Sequence, residues 1–245
     1  MNNVIVEIKD LSMCFNMTTE KITTFKEYLI KLTKKQISYN EFWALKDINF
    51  QIMKGELFGI LGLNGAGKST LLKIIAGVLK PTIGEVNVFG RMAPLIELGA
   101  GFDPELTARE NIYLNGAVLG YSKKQMNKNF DAIVAFSELE NFIDVPIKNF
   151  SSGMYARLGF SIATVTNPDV LIVDEILAVG DFKFQQKCEN KIKEMIESGT
   201  TVILVSHSID QIRSLCTRAA LLEKGCLLKV GEINEMCDYY YSKYS

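Results

Sequence analysis

The sequence predicts an α/β fold organised around a parallel β-sheet. Nearly continuous apolar runs at Leu57 to Leu61 (LFGIL), Asp169 to Val173 (DVLIV) and Thr201 to Val205 (TVILV) have the pattern of strands covered on both faces, as a parallel sheet requires. Segments of helical period separate these runs, and alternation of strand and helix is what crossover connections produce. At 245 residues, 48% apolar and 22% charged, the chain can bury a core in one large domain or two small ones, which excludes disorder and fibrous repeats.

The chain opens with Val4, Val6 and Ile8 alternating onto one face, and Ile48, Phe50 and Ile52 repeat the pattern, as antiparallel strands with one buried face do. Between them Ile22, Phe25, Leu29 and Leu32 fall at helical spacing among Lys21, Lys26, Lys31, Lys34 and Lys35, which predicts a basic amphipathic helix over Glu20 to Lys35. The run STLLKIIAGVL from Ser69 places Leu72, Ile75, Ala76 and Leu79 on one helical face, and Phe182 to Glu197 reads as a further amphipathic helix. From Met92 to Thr164 strand signals disappear. That stretch predicts a helical subdomain inserted into the α/β core, with a Gly-rich loop at Glu97 to Phe102 and a polar stretch at Ser122 to Asn129.

Composition removes several classes of function. With 27 Lys+Arg against 28 Asp+Glu, the formal charge of −1 gives no global basic field for nucleic acid or an anionic membrane. No apolar stretch is long enough for a membrane-spanning helix, and MNNVIVEIKD lacks the regions of a signal peptide, so a cytosolic chain is expected. Cys14, Cys188, Cys216, Cys226 and Cys237 are far apart and never in a C-x-x-C pair, which argues against a disulfide framework or structural zinc and for buried reduced thiols. His207 is the single histidine, so a site needing two or three imidazoles on one metal is excluded.

The strongest chemical pattern is Gly62-Leu63-Asn64-Gly65-Ala66-Gly67-Lys68-Ser69, a match to G-x-x-x-x-G-K-[ST] between the strand LFGIL and a helix, with Thr70 following. A polyphosphate held by backbone N–H groups needs glycines where a Cβ would block its approach, and the helix behind adds its positive end. Lys68 would neutralise the β and γ phosphates of a nucleotide and Ser69 would bind Mg²⁺. The strand ending in Asp174 and Glu175 supplies the rest: Asp174 would hold Mg²⁺ through water, and Glu175 would polarise the water that attacks the γ phosphate.

With these motifs in this order, the chain resembles the ATP-binding cassette (ABC) ATPases from about Val4 to Gly231. The resemblance implies a RecA-like parallel sheet with an antiparallel β subdomain and the inserted helical subdomain, as one nucleotide-binding domain over residues 1–245. Phe150-Ser151-Ser152-Gly153-Met154, followed by Arg157, stands where the family carries L-S-G-G-Q and a trailing Arg. This implies that Ser151, Ser152, Gly153 and Met154 face the ATP of a partner subunit; Ser152 and Met154 depart from the family pattern. Asp181 matches the family's D-loop and His207 its γ-phosphate switch, while Glu97 stands where a glutamine usually senses Mg²⁺, although an ionised Glu cannot donate a hydrogen bond. Phe15 matches the aromatic that stacks on adenine, with Phe42 and Trp43 as alternatives.

Phe42 to Asp47, the run LIELGAGFDPELTARENIYLNG from Leu95 and DEILAVGDFKFQQKC from Asp174 are similar to the ATP-binding subunits of bacterial polysaccharide exporters of the O-antigen, teichoic acid and rhamnose-polymer types. The stretch from Met17 to Glu41 is similar to an insertion these subunits carry, whereas the carbohydrate-binding domain that follows the ATPase in some of them is not expected after Ser245. The resemblance implies ATP and Mg²⁺ as cofactors and a second copy of the chain as partner. It also implies a permease dimer, a lipid-linked polysaccharide carried by that permease, no nucleic acid, and a peripheral place on the cytoplasmic face of the bacterial inner membrane. An ABC ATPase serving a small molecule or lipid is the alternative. Soluble ABC proteins of ribosomes or DNA repair fit poorly, since they carry two cassettes or a long coiled coil.

Overall fold

The structure, a computed structural model, describes residues 3–18, 39–174, 181–206 and 208–244, without the side chains of Met17, Thr18, Tyr39, Glu97 and Asp174. The runs that are apolar throughout form β3 (Leu57–Leu61), β6 (Val170–Asp174) and β7 (Thr201–Val205), and β8 (Arg218–Glu223) joins them. Successive side chains of a strand point to opposite faces, so such a run feeds two cores at once. Phe58, Ile60, Ile172, Ile203, Val205 and Leu222 enter one cluster, while Leu61, Leu171, Val173, Val202, Leu204 and Leu221 enter the other.

The remaining described strands are β1 (Val4–Thr18), β2 (Tyr39–Met53), β4 (Ile83–Val88), β5 (Met92–Pro94) and β9 (Cys226–Glu232), and the sheet runs β4-β1-β2-β9-β8-β3-β7-β6-β5. Strands β4, β1 and β2 are antiparallel to one another, as the alternating patterns predict, whereas β8, β3, β7, β6 and β5 are parallel. The two parts meet where Lys46 of β2 pairs with Cys226 of β9.

Two boundaries differ from the sequence-based expectation. The segment expected to be helical from Met92 begins with β5, paired in parallel with Val170 to Ile172. Three residues are too few to display a period of two, and Pro94 suits an edge, where no second neighbour needs its missing N–H. The segment from Met17 to Glu41, expected between two strands, itself begins and ends in strand, because β1 and β2 stay paired out to Thr18 and Tyr39. The amphipathic helix expected over Glu20 to Lys35 lies outside the described residues.

The helices are α1 (Lys68–Ile75), α2 (Ala108–Val118), α3 (Lys123–Ser137), α4 (Ser152–Val165), α5 (Phe182–Glu197), α6 (Ile209–Leu215) and α7 (Ile233–Tyr244). Helices α2, α3 and α4 share a third cluster around Ile112, Met126, Ile133, Leu158 and Ile162, while Phe160 and Ala163 of α4 belong to the cluster on the sheet. Helix α4 is thus the seam between the helical segment and the sheet. It approaches so closely that a Cβ on Gly159 would lie 2.9 Å from the Gly99 nitrogen. Among the chain's last residues, Ile233, Met236 and Cys237 are buried, with Tyr240 and Tyr244 packed against them; Tyr239 and Tyr241 are exposed.

Three cysteines follow expectation and two do not: Cys188, Cys216 and Cys237 are buried, Cys14 is half-buried and Cys226 is exposed at the start of β9. Burial pushes the Cys188 and Cys216 thiols up to about 12. A thiol-specific alkylating reagent at pH 8 should therefore label Cys226 first and leave Cys188 and Cys216 unmodified until denaturant is added. Mass spectrometry of partly labelled protein checks this, and early labelling of Cys188 would contradict the packing of α5. Gly159→Ala should cost roughly 1–3 kcal/mol by overpacking the seam, a fall of about 2–4 °C in melting temperature per kcal/mol for a chain this size. An unchanged melting curve would show that α4 is not held where it is described.

Candidate functional site

Strands β3, β7, β6 and β5 lie side by side in parallel, so their carboxyl ends form one edge, the place where open α/β sheets bind ligands. Val205 pairs with both Ile60 and Asp174, which sets the end of β6 level with the last residues before the glycine-rich loop. The turn ending at Glu97 follows β5 at the same edge. The backbone therefore gathers the loop, Asp174 and Glu97. Glu175 and His207, and the side chains of Asp174 and Glu97, lie outside the described residues.

The loop takes its shape from glycines that nothing else could replace. A Cβ on Gly62 would lie 2.4 Å from the carbonyl oxygen of Leu222, and one on Gly67, which has φ 102°, would lie 2.8 Å from the carbonyl oxygen of Ala44. The loop is thus threaded between β8 and β2 at backbone contact distance, and the Gly225 N–H donates to Ala66 O at 3.0 Å. Lys68 is buried, and its ammonium donates to Gly62 O at 2.6 Å and Leu63 O at 3.1 Å, which holds the charge across the loop. Ser69 is exposed beside it and Thr70 half-buried; Leu63 and Asn64 at the crest are exposed.

Helix α1 differs from its neighbours in one respect. Thr107, Ser122, Ser151, Asp181 and Ser208 each cap a helix, α2 to α6 in turn, by accepting a hydrogen bond from its first turn. Gly67 at the start of α1 offers no side chain. A helix N-terminus with no side-chain cap, approached by glycines and flanked by a lysine, is an anion site, because its first N–H groups and the helix dipole both point at the ligand. The same place suits Mg²⁺ beside a phosphate: an exposed serine hydroxyl on the first turn supplies a hard oxygen donor, and the backbone brings the end of β6 at Asp174 to the same edge.

Two of the candidate aromatics are neighbours. Phe15 on β1 pairs with Phe42 on β2; Phe15 is half-buried against the core and Phe42 is 52% exposed, so the freer ring is the one on β2, two residues before Ala44 at the loop. Trp43 pairs with Cys14 and donates its indole N–H to Glu41 at 3.3 Å.

Ser151, Ser152, Gly153, Met154, Arg157 and Asp181 line a separate concavity of about 590 Å³. The Ser151 hydroxyl oxygen accepts from the Met154 N–H at 3.2 Å, which leaves the hydroxyl proton free to be donated to a ligand. Asp181 caps α5 through the Phe184 N–H, and that bond, followed by the charge of Arg157, holds its carboxyl below the usual range. Glu138, which accepts from both Arg157 and Lys187, and Lys187 itself were not singled out by the sequence; they lie 19 and 30 positions from Arg157, beyond any local spacing rule.

Residues 45–178 match the family described as ABC transporter. The chain is 46% identical over 200 residues to the O-antigen export system ATP-binding protein RfbB of Klebsiella pneumoniae, covering 82% of this chain and 81% of that protein. It is 41% identical over 238 residues to the teichoic acids export ATP-binding protein TagH of Listeria innocua, covering 97% and 70%. A third relative, the ABC transporter protein AbcA of Aeromonas salmonicida, is 48% identical, and the chain spans 65% of its length. Among solved structures, the dimeric post-hydrolysis state of the ATP-binding cassette MJ0796 bound to ADP and Pi superposes with a TM-score of 0.68 at 25% identity, over 94% of this chain and 99% of that one.

The geometry of the loop makes two substitutions informative. Lys68→Ala removes a charged hydrogen-bond donor worth about 1.5–3 kcal/mol, so a non-hydrolysable ATP analogue should bind roughly 10- to 150-fold more weakly. Gly67→Ala should weaken it as well, because the new Cβ meets Ala44 O and the residue must abandon φ 102°. Equilibrium dialysis, with circular dichroism to show that the variants fold, checks both; unchanged affinity in either would remove the loop from the site.

Proposed function

The chain belongs to the ABC transporter family, and from that premise we propose that it is the ATP-hydrolysing subunit that powers export of a lipid-linked polysaccharide, of the O-antigen or teichoic acid type, through a separate membrane permease. The observation that carries the ATP-binding half of this reading is the α1 N-terminus, which has no side-chain cap and is cradled by Gly62 and Gly67 and crossed by Lys68. The export half rests on 46% identity across most of the length of a protein named for O-antigen export.

In this reading Gly62 to Thr70 hold the phosphates, and Phe15 with Phe42 flanks the base. Ser69 and Asp174 would hold Mg²⁺, which would offset charge on the β and γ phosphates. Glu97, whose backbone lies at the same edge, would be a further contact to that metal. Glu175 accepts the proton of the attacking water and His207 meets the γ phosphate. Ser151 to Met154 and Asp181 serve the nucleotide of a second copy of the chain, and the dimeric state of the MJ0796 cassette supports that arrangement.

No helix among the described residues is long and apolar enough to cross a membrane, so the translocation path falls to the permease, with this subunit held at the cytoplasmic face of the bacterial membrane. A groove of about 530 Å³ between the end of α1, Leu98 to Ala100 and the end of α2 suits a cytoplasmic helix of that permease. Apart from Arg91 and Asn115 it is lined by small and apolar residues, among them the exposed Val78 and Val118.

Glu175→Gln should keep nucleotide affinity while turnover falls about 10²- to 10⁴-fold, because a carboxamide cannot take the proton. Cells carrying this variant or Lys68→Ala as their sole copy should accumulate unexported polymer. Hydrolysis by Glu175→Gln within a few-fold of wild type would overturn the general-base assignment, and normal surface polymer in both strains would overturn the cargo.

A further inference from the structure

Arg157 ties the helical segment to the start of α5 through a network in which the named carboxylate oxygens are all engaged. One terminal nitrogen of its guanidinium donates to Glu138 Oε2 at 2.9 Å and the other to Asp181 Oδ2 at 2.6 Å. Asp181 Oδ1 accepts from the Phe184 N–H at 3.0 Å, and Glu138 Oε1 accepts from Lys187 Nζ at 3.0 Å. Lys187 also donates to Phe136 O at 2.8 Å, within the last turn of α3. The guanidinium lies 4.6 Å from the Phe184 ring centroid, and the Arg157 side chain is only 17% exposed.

Two features separate this network from an incidental surface ion pair. Glu138 occupies the left-handed region, φ 58° and ψ 39°, at the C-terminus of α3, where glycine is the usual choice because a Cβ is penalised there. A glutamate in that conformation is accounted for by its carboxylate, which engages Arg157 and Lys187. Second, the Asp181 side chain is 64% exposed, and an ion pair so open to water adds little stability; what a planar guanidinium supplies is a fixed separation between two carboxylates.

We propose that Arg157 is a positioning residue for ATP hydrolysis: anchored by Glu138 and Lys187, it holds Asp181 and the Ser151 to Met154 turn in one register, so that both meet the nucleotide as a unit. The inference rests on the reading of that turn as a contact to ATP. The concavity shared by the turn and Asp181 has Arg157 in its wall. Displacing either by a fraction of an ångström would misalign it, while the glycine-rich loop, none of whose residues is among the partners of Arg157, would keep its own contacts to β8 and β2.

The decisive variants are Arg157→Ala, Arg157→Lys and Glu138→Gly, compared with Ser151→Arg. Arg157→Ala should lower kcat about 10- to 100-fold and leave the affinity of the isolated subunit for an ATP analogue within about threefold. Arg157→Lys should recover only part of kcat, since one ammonium cannot span both carboxylates. Glu138→Gly relieves the left-handed backbone and deletes the carboxylate, so it should melt no lower than wild type and still lose kcat. The Arg157→Ala, Glu138→Gly double variant should be no slower than the worse single one. Wild-type kcat in Arg157→Ala together with an inactive Ser151→Arg would overturn the proposal and leave the turn's role standing. An active Ser151→Arg would sink the underlying reading instead. Parallel loss of kcat, analogue affinity and melting temperature in Glu138→Gly would show a structural role only.

Discussion

The structure depends on the absence of two Cβ atoms between the glycine-rich loop and the strands beside it. Gly62 lets the chain leave β3 against Leu222 O, and Gly67 lets α1 begin against Ala44 O. The same contacts join the sheet: Gly225 donates to Ala66 O and accepts from the Lys46 N–H at 2.8 Å, one residue from the Lys46–Cys226 pairing that links the antiparallel and parallel parts. The loop and the joint between the two halves of the sheet are therefore one construction. A side chain at Gly67 would disturb both, because β2 carries the antiparallel part on its far side and supports the loop on its near side.

Helix α4 performs a comparable service for the second concavity. Its Phe160 and Ala163 pack on the sheet cluster and its Leu158 and Ile162 on the helical cluster. Ser161 and Thr164 satisfy their hydroxyls on the helix's own carbonyls, at 2.6 and 2.8 Å, so burial on two sides leaves no polar group unpaired there. A helix so enclosed moves with its neighbours or not at all. Its N-terminus at Ser151 is consequently aimed by the packing of Phe136, Phe160 and Phe184 against one another, at ring separations of 5.8 to 6.4 Å, as much as by its own sequence.

What could be read from the sequence was what local pattern encodes. Buried strands show as LFGIL and TVILV because both faces are covered, and the glycine-rich loop shows because sterics dictate its residues. Strand β5 was illegible, since Met92, Ala93 and Pro94 become a strand only by pairing with β6. The reach of β1 and β2 to Thr18 and Tyr39 was hidden for the same reason: cross-strand pairing, not propensity, carries them past Asn16 and Glu41. Cys226 was expected inside with the other thiols, but it starts a strand after the tight turn at Lys224 and Gly225, where the chain is at the surface. The Arg157 network depends on residues brought together by α3, α4 and α5, and no one-dimensional spacing announces it.

In the proposed reading, the N-termini of α1 and α4 draw two kinds of anion contact from one principle. Both direct backbone N–H groups and a helix dipole outward. At α1 no side chain competes for those N–H groups, glycines clear the approach, and a buried lysine adds charge, which suits an anion held continuously. At α4 the Met154 N–H is already bonded to Ser151, no lysine lines the concavity, and the nearest guanidinium is committed to Glu138 and Asp181. What remains there is a hydroxyl proton and the residual dipole, too little to retain a polyphosphate alone but enough to complete a coordination begun elsewhere. Under the proposed function, one strong and one weak anion contact, held on separate elements, would suit a chain that binds nucleotide by itself and senses the nucleotide of a second copy.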